Sequence, residues 1–86
     1  MADLMPEDFE GRPEAAIWSV LRSRVTVGPQ NAEIAAGYCR ARADEDAARR
    51  ELKKALDAND ADAASKYGRI AEAMRTQAIR LYGSLM

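Results

Sequence analysis

The chain has 86 residues, of which 48% are apolar but only 6% aromatic, and a net charge of −1. That length lies near the lower limit for a self-sufficient core. The single cysteine, Cys39, excludes an intrachain disulfide, and a chain without histidine and with one cysteine cannot build a thiolate metal site, so no structural metal is expected. No apolar run approaches the ~18 residues a membrane span needs.

Many of the apolar residues are Ala, which favours helix but buries little area. A sparse core is therefore expected, and oligomerisation is the remaining route to stability. The opening "MADLMPEDFEG" lacks a basic region and does not read as a secretory signal. A reducing, cytoplasmic setting is the default expectation.

Residues 1–11 carry four acids (Asp3, Glu7, Asp8, Glu10) and no base, which leaves 13 bases against 10 acids in residues 12–86. The first segment reads as a flexible acidic N-terminus, and 12–86 as one helical oligomerisation domain. A first helix is predicted over 13–24. Pro13 suits its first turn, Glu14 sits at its positive end, and Arg22 and Arg24 occupy its last turn. Ile17, Val20, Leu21 and Arg24 mark one side at helical spacing, with Trp18 at the border of that stripe.

"VTVGPQN" breaks this helix. A long second helix is predicted over 29–58, with Pro29 in its first turn and an apolar side of Ile34, Tyr38, Ala41, Ala48, Leu52 and Ala55 or Leu56. Its middle, "RARADEDAARRELKK", suggests pairs of Glu45 with Arg49 and of Asp46 with Arg49 and Arg50. "DANDAD" is a turn in which Asn59 or Asp60 caps a third helix over 61–85. There, Ala63, Tyr67, Ile70, Met74, Gln77, Leu81 and Leu85 form a seam, and Gly68 and Ala71 allow close helix approach. A short turn between long helices makes them antiparallel. The predicted fold is all-α: a short N-terminal helix followed by a long antiparallel helical hairpin.

Without histidine, acid–base catalysis would fall to carboxylates, Lys, Tyr or Cys. The carboxylates are scattered among opposite charges, and no glycine-rich loop cradles phosphate. The expectation is a protein that is not an enzyme, without cofactor, metal or catalytic residue. Arg40 could lower the pKa of Cys39, but a small residue beside a packed face is the preferred reading. Arg49, Arg50, Lys53 and Lys54 form a tight basic set among Asp44, Glu45, Asp46 and Glu51, which favours a salt-bridged face over phosphate contact. Arg12, Arg22 and Arg24 make the cleaner basic cluster. With Arg40, Lys53 and Lys54 they are the candidate DNA contacts. No helix-turn-helix pair is visible. Candidate core or oligomer packing residues are Ile17, Trp18, Leu21, Ile34, Tyr38, Leu52, Tyr67, Ile70, Met74 and Leu81.

Taken in order, Ile17-Trp18, the basic Arg22-Ser23-Arg24, Pro29, Glu33-Ile34-Ala35-Ala36, Tyr38-Cys39 and Ala47 to Leu52 resemble the small subunit of tailed-phage terminases across about residues 14–86. The resemblance implies a ring-shaped homo-oligomer that binds double-stranded viral DNA and regulates the large terminase subunit, the packaging motor and nuclease, in the host cytoplasm. Two features depart from that family. A separate N-terminal DNA-reading domain is lacking, and the chain stops at Met86 after the third helix. Both suit a minimal subunit with weak or shape-based DNA binding, as in a gene-transfer-agent-like particle. Two alternatives use the same hairpin: a small protein-binding adaptor (a chaperone, antitoxin-like protein or inhibitor) and a phage head–tail connector component.

Overall fold

The computed structural model of the chain describes residues 4–85. Residues 1–3 of the acidic segment, and Met86, lie outside the described residues. A 3-10 turn at Glu7–Phe9 precedes α1 (Pro13–Arg22), α2 (Ala32–Asp57) and α3 (Ala61–Leu85), and the described residues contain no strand. The fold is all-helical. α2 is the spine: α1 packs on its first half, α3 packs along it as the second arm of a hairpin, and α1 and α3 have no backbone approach within 8 Å of each other.

The segment before α1 is anchored, contrary to the loose attachment expected for it. Phe9 is fully buried, and its ring meets Trp18 edge-on with centroids 6.2 Å apart. The Arg40 guanidinium lies 5.1 Å from the Phe9 centroid and pairs with Asp8 at 3.8 Å. Gly11 then turns the chain into α1 at φ +74°, a conformation that costs most residues a clash. Acidic composition hid this anchor because the burial is done by one aromatic among charges.

Helix α1 keeps Pro13 in its first turn as expected, but it ends at Arg22 rather than at Arg24. The Ser23 hydroxyl donates to the Val20 carbonyl at 2.6 Å and the Val25 amide donates to Leu21 at 2.9 Å, closing the helix there. The buried face is Glu14, Trp18 and Leu21, so Trp18 is its centre and not its border; Val20 is 55% exposed. The stripe is rotated because the aromatic anchor at Phe9 defines the inside.

Helix α2 begins at Ala32, three residues after Pro29. Asn31 takes Pro29 into a turn instead. Its side-chain oxygen accepts the Gly28 amide at 2.7 Å, its side-chain nitrogen donates to the Thr26 carbonyl at 3.1 Å, and its own amide donates to Gly28 at 3.1 Å. At the other end Asn59 adopts φ +57°. The Asn59 amide donates to Leu56 at 3.1 Å and the Asp60 amide to Ala55 at 2.8 Å, the paired bonds of a Schellman stop. The Asp60 carboxylate accepts the Ala63 amide at 3.1 Å and so starts α3 at once.

The hairpin seam differs in phase from the one predicted. On α3 the inward positions are Ala64, Tyr67, Ala71, Met74, Ala78, Leu81 and Leu85, with Ala71 and Ala78 buried. Tyr67, Met74, Leu81 and Leu85 hold their expected places as half-buried residues. Ile70 is 38% exposed and Gln77 is exposed, so both are outside the seam. On α2 the inward positions are Ile34, Tyr38, Ala41, Glu45, Ala48, Leu52 and Ala55, again in alternating steps of four and three. Small residues at the facing positions let the helices approach closely. Leu81 sits where a Cβ on Gly37 would meet it at 3.4 Å, whereas nothing lies within 4 Å of a Cβ built on Gly68. The close approach therefore belongs to Gly37, not to Gly68.

The interior accordingly has two regimes. At the base, Phe9, Trp18, Leu21, Ala35, Ala36 and Cys39 form a continuous buried cluster, with Ile17, Tyr38 and Tyr82 packed against it. Towards the tip the buried apolar residues are all Ala. The large side chains there are half-buried at the seam (Leu52, Tyr67, Met74) or face outward (Leu56, 60% exposed; Ile70), and nearer the base Ile79 is 62% exposed.

Candidate functional site

Because α1 and α3 flank α2 without close backbone contact with each other, a groove runs between them with α2 as its floor. It has two connected parts. A cleft of ≈ 490 Å³ is lined by Arg24, Tyr38, Arg42, Glu45, Arg75, Ala78, Ile79 and Tyr82. A more apolar one of ≈ 360 Å³ continues along α1 past Ala16, Ile17, Val20 and Leu21, sharing Arg24, Tyr38, Arg42 and Tyr82. Tyr38 and Tyr82 stack at 5.5 Å with their planes 47° apart, joining the floor to the α3 wall.

The charge in this groove comes from three elements: Arg24 from the segment after α1, Arg42 from α2 and Arg75 from α3. The one carboxylate in the lining is Glu45, buried at a seam position. It is already engaged. Arg49 donates to it through Nε at 2.9 Å and approaches through Nη2 at 2.7 Å, and Arg42 Nε lies 3.6 Å away. Arg42 also donates to the Tyr38 hydroxyl at 3.3 Å, while its buried Nε makes no hydrogen bond. Arg24 and Arg75 are exposed and make no ion pair with the described residues. Two guanidiniums thus remain available beside the apolar side chains of Val20 and Ile79.

The six candidate DNA contacts are not gathered into one patch. Arg12 lies 3.5 Å from Glu14, and Arg40 is held by Asp8 and Phe9, so both cluster about the N-terminal turn. Arg22 and Arg24 stand at the end of α1, Arg24 alone entering the groove. Lys53 and Lys54 are exposed near the hairpin tip, with Lys54 at 3.4 Å from Glu51. Arg42 and Arg75 escape a linear reading because only the crossing of three helices brings them to Arg24. Of the expected helix pairs, Glu45 with Arg49 is formed; Asp46 makes no ion pair with the described residues.

Cys39 is fully buried in the base cluster. Burial, and secondarily the negative charge of Glu14, push its thiol up to about 11, and the opposing effect of Arg40 is smaller. A thiol held in this way is protonated at neutral pH and is a packing group. No group of three or more potential metal ligands comes together among the described residues, and no helix among them is long and apolar enough to cross a membrane. Comparison with known protein families, curated proteins and solved structures found no match to this chain.

Proposed function

We propose that the chain is a non-catalytic, ring-forming adaptor of the small-terminase type. Its copies assemble about a common axis, bind double-stranded DNA weakly and without reading sequence, and regulate a large subunit carrying the packaging motor and nuclease in the host cytoplasm. One observation carries the oligomeric part of this reading. The fully buried positions of the hairpin seam beyond the base are alanines, its larger side chains (Leu52, Tyr67, Met74, Leu81) are only half-buried, and Ile70 and Ile79 are partly exposed on its sides, at 38% and 62%. Such a hairpin gains most of its apolar burial from neighbours. The order of aromatic, basic and Pro-containing features along α1 and α2 supports the terminase reading. Exposed bases such as Lys53, repeated around a ring, supply the phosphate contacts.

Light scattering at micromolar concentration tests the assembly: an oligomer larger than a dimer is expected, and a monomer or simple dimer would sink the ring. Retention of duplex DNA is a second and separate measurement. It should fall steeply with added salt, and Arg22→Ala combined with Lys53→Ala should flatten that slope, by roughly one unit of log–log slope per lost phosphate contact. A stable dimer with no DNA retention would move the protein to the protein-binding adaptor class. A ring that leaves a large-subunit ATPase unstimulated would favour the connector reading.

A further inference from the structure

The hairpin seam has a hollow on each flank, and the charged residues lining the two are mainly basic in one and acidic in the other. One is the groove described above, with Arg24, Arg75 and the exposed Ile79. The other is a shallow hollow of ≈ 410 Å³, where Ala47, Ile70 and Met74 are bordered by Asp44 and Glu51. Helix geometry separates the two. At about 100° per residue, Asp44 and Glu51 lie about 160–180° around α2 from Arg42, and Ile70 lies about 180° around α3 from Ile79. Asp44 is exposed and makes no ion pair with the described residues; Glu51 makes only an exposed contact with Lys54 at 3.4 Å. Among the described residues no basic side chain lines the hollow, and the only acid lining the groove is Glu45, already held by Arg49.

We infer that these flanks dock on one another between copies of this chain: the arginine groove of one copy takes the acidic hollow of the next. The inference rests on the oligomer-forming part of the proposed function and names the two surfaces that would make it. Ile79 then covers Ile70 and Met74 of the neighbour, which supplies apolar burial, while Arg24 and Arg75 face Asp44 and Glu51. The charges mainly set the direction. Groove against groove would oppose arginines to arginines, and hollow against hollow carboxylates to carboxylates, and like-charge juxtaposition is strongly disfavoured. Each copy must therefore present one flank to one neighbour and the other flank to a second. Such a heterologous contact propagates from copy to copy and gives a ring when the rotation between neighbours closes, an open filament when it does not.

The experiment uses two full-length charge-reversal variants, Arg24→Glu/Arg75→Glu and Asp44→Lys/Glu51→Lys, with native mass measured for each alone and for an equimolar mixture. Asp44, Glu51 and Arg75 are on the hairpin's flanks and Arg24 is on the segment after α1, and far-UV circular dichroism checks that helix content is retained. Each variant alone is expected to lose the oligomer and run as a monomer. The mixture is expected to reassemble, because every contact in an alternating array again pairs opposite charges. Should a double variant fail to fold, Arg75→Gln and Glu51→Gln replace it, each expected to raise the half-assembly concentration about tenfold. An oligomer that survives the substitutions, or a mixture that stays monomeric, overturns the face assignment while leaving the ring reading intact. A wild-type chain that is monomeric overturns both.

Discussion

Phe9 and Trp18 decide how the N-terminal part of the chain is held. Both are fully buried, meet edge-on, and are the largest side chains of the buried cluster at the base. Phe9→Ala removes a ring whose deletion from a core typically costs about 3–5 kcal/mol. Since Trp18 is the only tryptophan, its fluorescence reports the loss directly: the emission should shift to the red and the Tm fall. An unchanged spectrum would place Phe9 outside the core. Cys39 sits in the same cluster, and its thiol is pushed from the ordinary 9.0 up to about 11. The unfolded chain ionises this thiol first as pH rises. The stabilisation is therefore full below about pH 9 and is lost between about pH 9 and 11. Denaturant melts of wild type and Cys39→Ala across that range should converge as pH rises, and Cys39 in the native protein should react slowly with thiol reagents.

At the scale of the elements, the joint between α2 and α3 is specified by two adjacent residues with different tasks. Asn59 takes the left-handed conformation that ends α2, and Asp60 caps α3 through the Ala63 amide. Asp60→Ala should cost about 1 kcal/mol, measured by urea unfolding, while Asn59→Gly should be nearly neutral because glycine adopts the same conformation freely. The sequence marked both residues as capping candidates, and the tertiary structure separates their roles. Glu45 is the opposite case. Heptad spacing on α2 passes through it between Ala41 and Ala48, but a charged residue in a salt-bridged stretch reads as surface. Its neighbours Arg42 and Arg49 make the burial tolerable by pairing with it. A buried pair of this kind contributes little net stability. Glu45→Leu, however, removes one partner only and leaves the buried Arg42 Nε without its carboxylate, so the Tm should fall, and an unchanged or raised Tm would show that the arginines are satisfied by solvent.

For the whole molecule, the relevant quantity is how little large apolar surface one copy can hide. The base has an aromatic cluster, whereas in the arm beyond it the fully buried apolar residues are alanines and the larger seam side chains stay half-buried, over a molecule 49 Å long and 17 Å across its shortest axis. Ile79→Ser should therefore leave monomer helix content intact while weakening assembly, seen as a mass that dissociates on dilution. If Ile79→Ser melts the isolated chain instead, its apolar surface is serving the fold and not a neighbour. Adding salt to the wild type should weaken assembly only in part, since screening acts on Arg24, Arg75, Asp44 and Glu51 but not on the isoleucines.

The sequence by itself determined the number of long helices, the antiparallel hairpin and the turn at 58–60, because these depend on local spacing, proline and capping chemistry. It also located Tyr67, Met74 and Leu81 on the seam. It could not set the phase between them: two heptad readings differ by one residue, Ile70 and Gln77 against Ala71 and Ala78, and hydrophobicity favours Ile70 over Ala71 but Ala78 over Gln77, so it points both ways. Only close packing resolves this, since two long helices approaching over Gly37 leave room for alanine and push isoleucine to the side. The same holds for the groove. Arg24, Arg42 and Arg75 are 18 and 33 positions apart along the chain, and nothing local relates them. They share a cleft because α1 and α3 both rest on α2 and stop short of each other, which is a property of helix packing and not of any one segment.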